Sequence, residues 1–217
     1  MKTIPFSDIE RAVQVIAETA IANEAYFSEL DGECGDGDFG TSLATGFRVV
    51  QKEWPDIDRT SVGTFLGKIG VIITSNVGGC SGPLWGTAFL RASGLTREKQ
   101  EIALADLAQM LRRAIEGMMA RGNSQLGDKT ILDALDPVAK LVEERAASAD
   151  PTPDAKLLFQ CREAAEAAAE KTRPWTAKRG RQAFTCERSA GTLDPGVVAV
   201  GVLLKALSDA FQPAAKL

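Results

Sequence analysis

The chain reads as all-α: an antiparallel, up-and-down bundle or barrel of eight helices whose unusual loops gather at one rim. Three observations predict this. Apolar residues recur at three- and four-residue spacing rather than in alternation. Ala, Leu and Glu are abundant, while aromatics make up 6% and there is one Tyr. The periodic segments are joined by short connections, which favour antiparallel neighbours.

Taken in order, the first helix is expected over residues 7–28, with Ile9, Val13, Ile16, Ala20 and Ile21 as its apolar stripe. The second covers 41–54, and the third 61–76 with Thr60 or Ser61 as N-cap. The fourth covers 83–92, the fifth 97–120, and the sixth 129–147, bent early by Pro137 because proline removes a backbone donor. The seventh runs over 153–172 and the eighth over 195–211. No composition shift divides the chain, so residues 1–217 are expected to form a single domain.

Composition narrows the function. A net charge of −4 and an acidic pI of 5.1 argue against a nucleic-acid or anionic-membrane surface. The best candidate span, 69–77, is far too short to cross a bilayer and carries Thr74, Ser75 and Asn76. Cys34, Cys80, Cys161 and Cys186 are widely spaced and suggest neither zinc nor a disulfide framework, so a reducing cytoplasm is expected. Histidine is absent, which excludes a His base, a phosphohistidine relay or a His metal ligand supplied by this polypeptide.

In an alternating bundle the starts of helices two, four, six and eight share one end. The loops before them are the unusual ones: the stretch containing Asp31, Asp36 and Asp38; Gly78-Gly79-Cys80-Ser81-Gly82; Gly127-Asp128-Lys129-Thr130; and residues 181–195. Three carboxylates in one glycine-rich stretch, without a nearby Lys or Arg, call for a cation. Hard divalent ions with oxygen ligands suit them, and Mg²⁺ commonly arrives with substrate phosphates. Helix starts supply unpaired N–H groups for those phosphates. Ser81 is expected to cap helix four, and Asp194-Pro195 to cap and open helix eight.

Each motif also has a plainer reading. The aspartates fail the EF-hand spacing, since position twelve from Asp36 is Phe47, but a solvated acidic turn with Asp caps remains open. Residues 122–130 mimic a P-loop yet follow a helical pattern, so that reading is rejected in favour of a glycine C-cap with Asp128 capping the next helix. The tryptophans are read as core or rim anchors, and the basic stretch around Arg179, Arg181 and Arg188 as a solvated face or a phosphate clamp.

Together the motifs Gly35-Asp-Gly-Asp-Phe-Gly40, Gly78-Gly-Cys-Ser-Gly-Pro-Leu-Trp-Gly-Thr87, Gly127-Asp-Lys-Thr-Ile-Leu-Asp-Ala-Leu135, and Gly180-Arg181 with Glu187-Arg-Ser189 and Asp194-Pro-Gly196 resemble the nucleotide-binding L subunit of dihydroxyacetone kinases. The resemblance spans about residues 30–200. It implies an eight-helix barrel holding ADP or ATP with two Mg²⁺ at one end. Asp31, Asp36 and Asp38 would ligate the ions. Phe39, Gly40, Thr41 and Ser42 would lie close to the nucleotide, and Cys80 and Ser81 would contact phosphate. Gly122 and Ile131 would border the adenine or ribose. Arg181 would act catalytically on the phosphates, and Asp194 with Pro195 would close the far side. The ketose would be held by a separate K-type subunit, with ATP or a phosphotransferase-system protein as phosphoryl source; a homodimer is also compatible.

Phe39, Ser42 and Thr192 depart from the family pattern, where His, Asn and His are usual. All three metal-ligand aspartates remain. The alternative is a nucleotide-dependent regulatory module without turnover of its own.

Overall fold

The structure, a computed structural model, describes residues 2–212. It is all-α apart from one antiparallel pairing of Ile4–Pro5 (β1) with Glu101–Ile102 (β2). The helices are α1 (Phe6–Ala22), α2 (Glu24–Cys34), α3 (Phe39–Glu53), α4 (Val62–Asn76), α5 (Ser81–Leu95), α6 (Leu104–Gly122), α7 (Leu132–Ala146), α8 (Ala155–Thr172) and α9 (Pro195–Ala210). Short 3₁₀ segments occur at Trp54–Asp56 and Arg181–Ser189. Packing runs from α1 to α3 and then stepwise to α9, which returns to α1, so these neighbours close a ring. Helix α2 is the additional member, seated on α3, α9 and the 3₁₀ segment Arg181–Ser189.

The apolar stripes meet inside that ring. Phe27, Phe47 and Phe65 are fully buried in a cluster built largely from α1 to α4, and Met118, Leu132 and Val197 lie in a second built largely from α6 to α9. Trp85, Leu107 and Val202 touch both clusters. Trp54 and Phe6 each meet Phe65 edge-on at 5.4 Å, the geometry that aromatic quadrupoles favour.

Five expectations need correction. The first helix is not continuous over 7–28. It breaks at Asn23, whose side-chain amide donates to the Thr19 carbonyl at 2.8 Å and competes with the helical ladder. The chain restarts as α2 and carries Asp31 on its last turn, so the three carboxylates come from a helix end and the following loop rather than from one loop. The fifth helix starts at Leu104 rather than at 97, because residues 101–102 pair with β1 and Asp106 accepts from the Ala103 amide at 2.9 Å. The sixth starts at Leu132, since Lys129 takes left-handed backbone (φ 61°); Asp128 does not cap it but bonds the Gln125 amide. Pro137 does lie within that helix. Elsewhere Ser61 caps α4 by accepting from the Thr64 amide at 3.0 Å, as expected.

The site depends on how closely α2 lies on α3. A Cβ at Gly40 would stand 2.0 Å from the Glu24 carbonyl oxygen and 2.6 Å from the Ser28 amide nitrogen, both backbone atoms. Gly40→Ala should therefore push the helices apart, destabilising the protein by about 2 kcal/mol or more in urea unfolding. It should also weaken divalent-cation binding at the aspartates, as read by calorimetry.

Candidate functional site

Asp31, Asp36 and Asp38 each offer one carboxylate oxygen, and these oxygens all lie within 4.8 Å of one another. The local fold explains why. The Phe39 amide donates to Asp31 Oδ2 at 3.2 Å, and the Thr41 amide donates to Ser28 Oγ at 3.2 Å. Side chains of α2 thus satisfy orphan N–H groups in the first turn of α3, where no described side chain of the N-cap residue does so. Asp31 is only 5% exposed, whereas Asp36 and Asp38 face solvent.

Burial, followed by the charges of Asp36 and Asp38, raises the Asp31 carboxyl above its usual range, against the pull of the Phe39 amide. Burial and the Asp36 charge likewise raise Asp38, while Arg181 opposes them. Arg181 Nε lies 3.0 Å from Asp36 Oδ2 and supplies the local counter-charge. Three convergent oxygen donors with excess negative charge fit a hard divalent cation of the Mg²⁺ type.

The carboxylates open onto a cavity of about 650 Å³. Its walls bring together Asp31, Asp36, Asp38, Phe39, Cys80, Ser81, Gly122, Ile131, Arg181, Asp194 and Pro195, from all four loops expected to share a rim. Gly40, Thr41 and Ser42 do not line it. Gly40 is a contact point for α2, the Thr41 amide is bonded to Ser28, and the Ser42 hydroxyl abuts the backbone at Gly78.

Ser81 is not the cap of α5. It is the first helical residue, Cys80 occupies the cap, and no side-chain cap bond forms there among the described residues. The start of α5 therefore presents its first amides beside Gly78 and Gly79 without a covering side chain, which suits an anion.

On the far side Asp194 caps α9, accepting from the Val197 amide at 2.8 Å, and Pro195 opens the helix as expected. Burial pushes the Asp194 carboxyl up to about 6, against the cap bond and the charge of Lys129. Phe39 packs on Phe27 with ring centres 6.0 Å apart and is 8% exposed, so most of its surface is committed to the core. Leu84, Trp85 and Met118 also line the cavity. Sequence reading missed this role because the same residues satisfy the apolar stripes of α5 and α6. Phe184, 81% exposed beside the cavity, lies in a polar stretch with no periodicity to mark it.

A helical ring whose acidic cluster faces a cavity bordered by the uncapped start of α5 offers oxygen ligands for a cation beside amides for an anion. The family model described as "DAK2 domain" matches residues 33–209, and the chain belongs to that family. It is 36% identical over 183 residues to the "PEP-dependent dihydroxyacetone kinase, ADP-binding subunit DhaL" of Escherichia coli, covering 84% of this chain and 86% of that one. To "PEP-dependent dihydroxyacetone kinase 2, ADP-binding subunit DhaL" of Listeria innocua it is 34% identical, covering 87% of each chain. The fold matches a solved dihydroxyacetone kinase of C. freundii, a structure described as a complex with AMP-PNP and Mg²⁺. The TM-score is 0.72 at 23% identity, covering 97% of this chain and 35% of that one. The chain thus spans about a third of the solved kinase.

Two outcomes follow from these carboxyls. Asp31 holds its proton more tightly folded than unfolded, so its ionised form at neutral pH counts against the metal-free fold. Asp31→Asn should raise the melting temperature of the metal-free protein at pH 7.5 by about 2 °C, measured by calorimetry. For Asp194 the native carboxyl titrates near 6 against a reference of 3.8. The stability carried by its proton is complete below about pH 3.8 and is lost as pH rises through about 6. Urea unfolding should show wild type losing about 1–2 kcal/mol between pH 4 and 7 relative to Asp194→Asn.

Proposed function

We propose that this chain is the nucleotide-binding subunit of a dihydroxyacetone-type kinase, passing a phosphoryl group from a Mg²⁺-bound nucleotide to a small ketose held by a K-type partner in the cytoplasm. The observation that carries this reading is the carboxylate trio opening beside the uncapped start of α5 within one cavity. Membership of the DAK2 family, and relatives named as ADP-binding subunits at 36% and 34% identity, support it.

Asp31, Asp36 and Asp38 would hold the metal, two ions in this reading. When bound, Mg²⁺ supplies positive charge that offsets the phosphate oxygens. The amides at Gly78 to Ser81 would receive phosphate oxygens, and the apolar wall at Leu84, Met118 and Ile131 would exclude water around the base. Arg181 is the mobile charge of the site. Its guanidinium is exposed and paired with Asp36, a partner it would exchange for phosphate once Asp36 is neutralised.

Relatives named PEP-dependent or PTS-dependent favour a tightly held ADP rephosphorylated in place by a phosphotransferase-system protein. Retention of ADP through extensive dialysis, read by native mass spectrometry, would bear this out; an empty protein would favour exchangeable ATP.

At about a hundredfold excess over the dissociation constant, Mg·ADP should stabilise the chain by roughly 2.7 kcal/mol, an increase of about 5–10 °C in melting temperature. Asp36→Asn should abolish that shift while leaving the far-UV circular dichroism unchanged. Absence of any shift with wild type would remove the nucleotide reading. A shift without phosphoryl transfer to dihydroxyacetone in the presence of a K-type subunit would leave a regulatory module instead.

A further inference from the structure

Lys129 belongs to none of the roles above, yet it is the one lysine among the large, fully buried side chains of the described residues (0% exposed). It sits in left-handed backbone between α6 and α7. Its Nζ donates to the main-chain carbonyls of Arg173 (3.2 Å), Trp175 (3.0 Å), Ser189 (2.5 Å) and Thr192 (2.9 Å). An ammonium has three protons, so four acceptors must share them. The arrangement is the oxygen shell of a monovalent cation, with the cation tethered to the chain.

The four carbonyls come from the two ends of one segment, the strap of residues 173–194 that links α8 to α9. Between those ends lie Arg179 and Arg181 on the cavity wall, and the strap closes at Asp194. It has little apolar burial to hold it in place. Over Arg181–Ser189 the buried residues are Gln182 and Ser189, and Cys186 takes strained left-handed backbone (φ 52°).

Other ties to the α6–α7 loop reach only the middle of the strap: the Lys178 amide donates to the Asp128 carbonyl at 3.0 Å, Lys178 Nζ to the Gly127 carbonyl at 3.0 Å, and Arg179 Nε to the Asn123 carbonyl at 2.5 Å. Within the strap, the Ala177 amide meets Ser189 Oγ at 2.9 Å and the Gly191 amide meets the Arg173 carbonyl at 2.8 Å. The lysine joins both ends at the centre.

We propose that Lys129 is a positioning residue: its ammonium gathers both ends of the strap and thereby sets Arg181 and Asp194 on the cavity wall. The proposal rests on the nucleotide reading for its affinity readout and stands apart from it for its structural one. Without the ammonium, the Trp175 and Thr192 carbonyls would lose their donor, the Arg173 and Ser189 carbonyls would keep only the Gly191 amide and the Thr192 hydroxyl, and the strap would open.

Lys129→Ala removes three methylenes and the ammonium, a space matched by n-propylammonium. The variant should lose about tenfold or more in Mg·ADP affinity by calorimetry. Millimolar n-propylammonium should restore most of that loss, whereas equal sodium or propan-1-ol should not. Wild-type affinity in the variant, or a loss that n-propylammonium leaves untouched, overturns the proposal.

Wild-type protein provides a second readout that needs neither a folded variant nor nucleotide. Under mild acetylation Lys129 should be the slowest lysine to react, its labelling rising in step with hydrogen exchange of the amides of residues 177–192. Labelling as fast as the exposed Lys178 overturns it. If wild type binds no Mg·ADP while Lys129 stays protected in step with the strap, the nucleotide reading falls and the lock survives.

Discussion

The site is organised around three like charges that would separate if the backbone allowed it. Asp31 is fixed by the end of α2, while Asp36 and Asp38 are fixed by the turn that leads into α3. At Gly40 the two helices meet through main-chain atoms of Glu24 and Ser28, and no side chain is admitted there. Repulsion within the cluster is therefore opposed by packing and amide bonds, with Arg181 as counter-ion. Burial first, and then repulsion from the neighbouring aspartates, raises the carboxyls of Asp31 and Asp38. A scaffold that resists local relaxation can present a ready-made binding potential, because the ligand need not gather the charges itself.

The opposite wall follows different physics. The cavity side built from α5 and α9 uses helix starts, one left uncapped beside Gly78 and one sealed by Asp194. The strap between α8 and α9 is fastened by charge against carbonyl oxygens rather than by apolar contact. One wall is thus acidic, the other gathered around a buried ammonium. That division suits a pocket that holds a cation firmly while a guanidinium changes partners.

The helices were legible because their signal is periodic: α4, α8 and α9 begin within two residues of expectation, with Ser61 and Asp194 read as caps in advance. The break at Asn23 was not legible, since one side-chain bond to Thr19 leaves the apolar pattern of the flanking turns unchanged. The residue pair that forms β2 is too short for any alternation to show. The meeting of four loops in one cavity could be anticipated because alternating helices place their starts together. The apolar wall at Leu84 and Met118 could not, because a core stripe and a pocket lining ask for the same residue types. Lys129 was the hardest to read. It stands where a phosphate-binding lysine would be sought, and only the fold shows it turned toward carbonyls instead.

Ring closure has a further consequence. The last seam forms when α9 seats on α1, and Arg11 then reaches the Ala210 carbonyl at 2.6 Å. Because α1 precedes α9 along the chain, that seam cannot form until α9 has left the ribosome. By then α1 is already covered on its α3 side, so its α9-facing side is the surface left open longest.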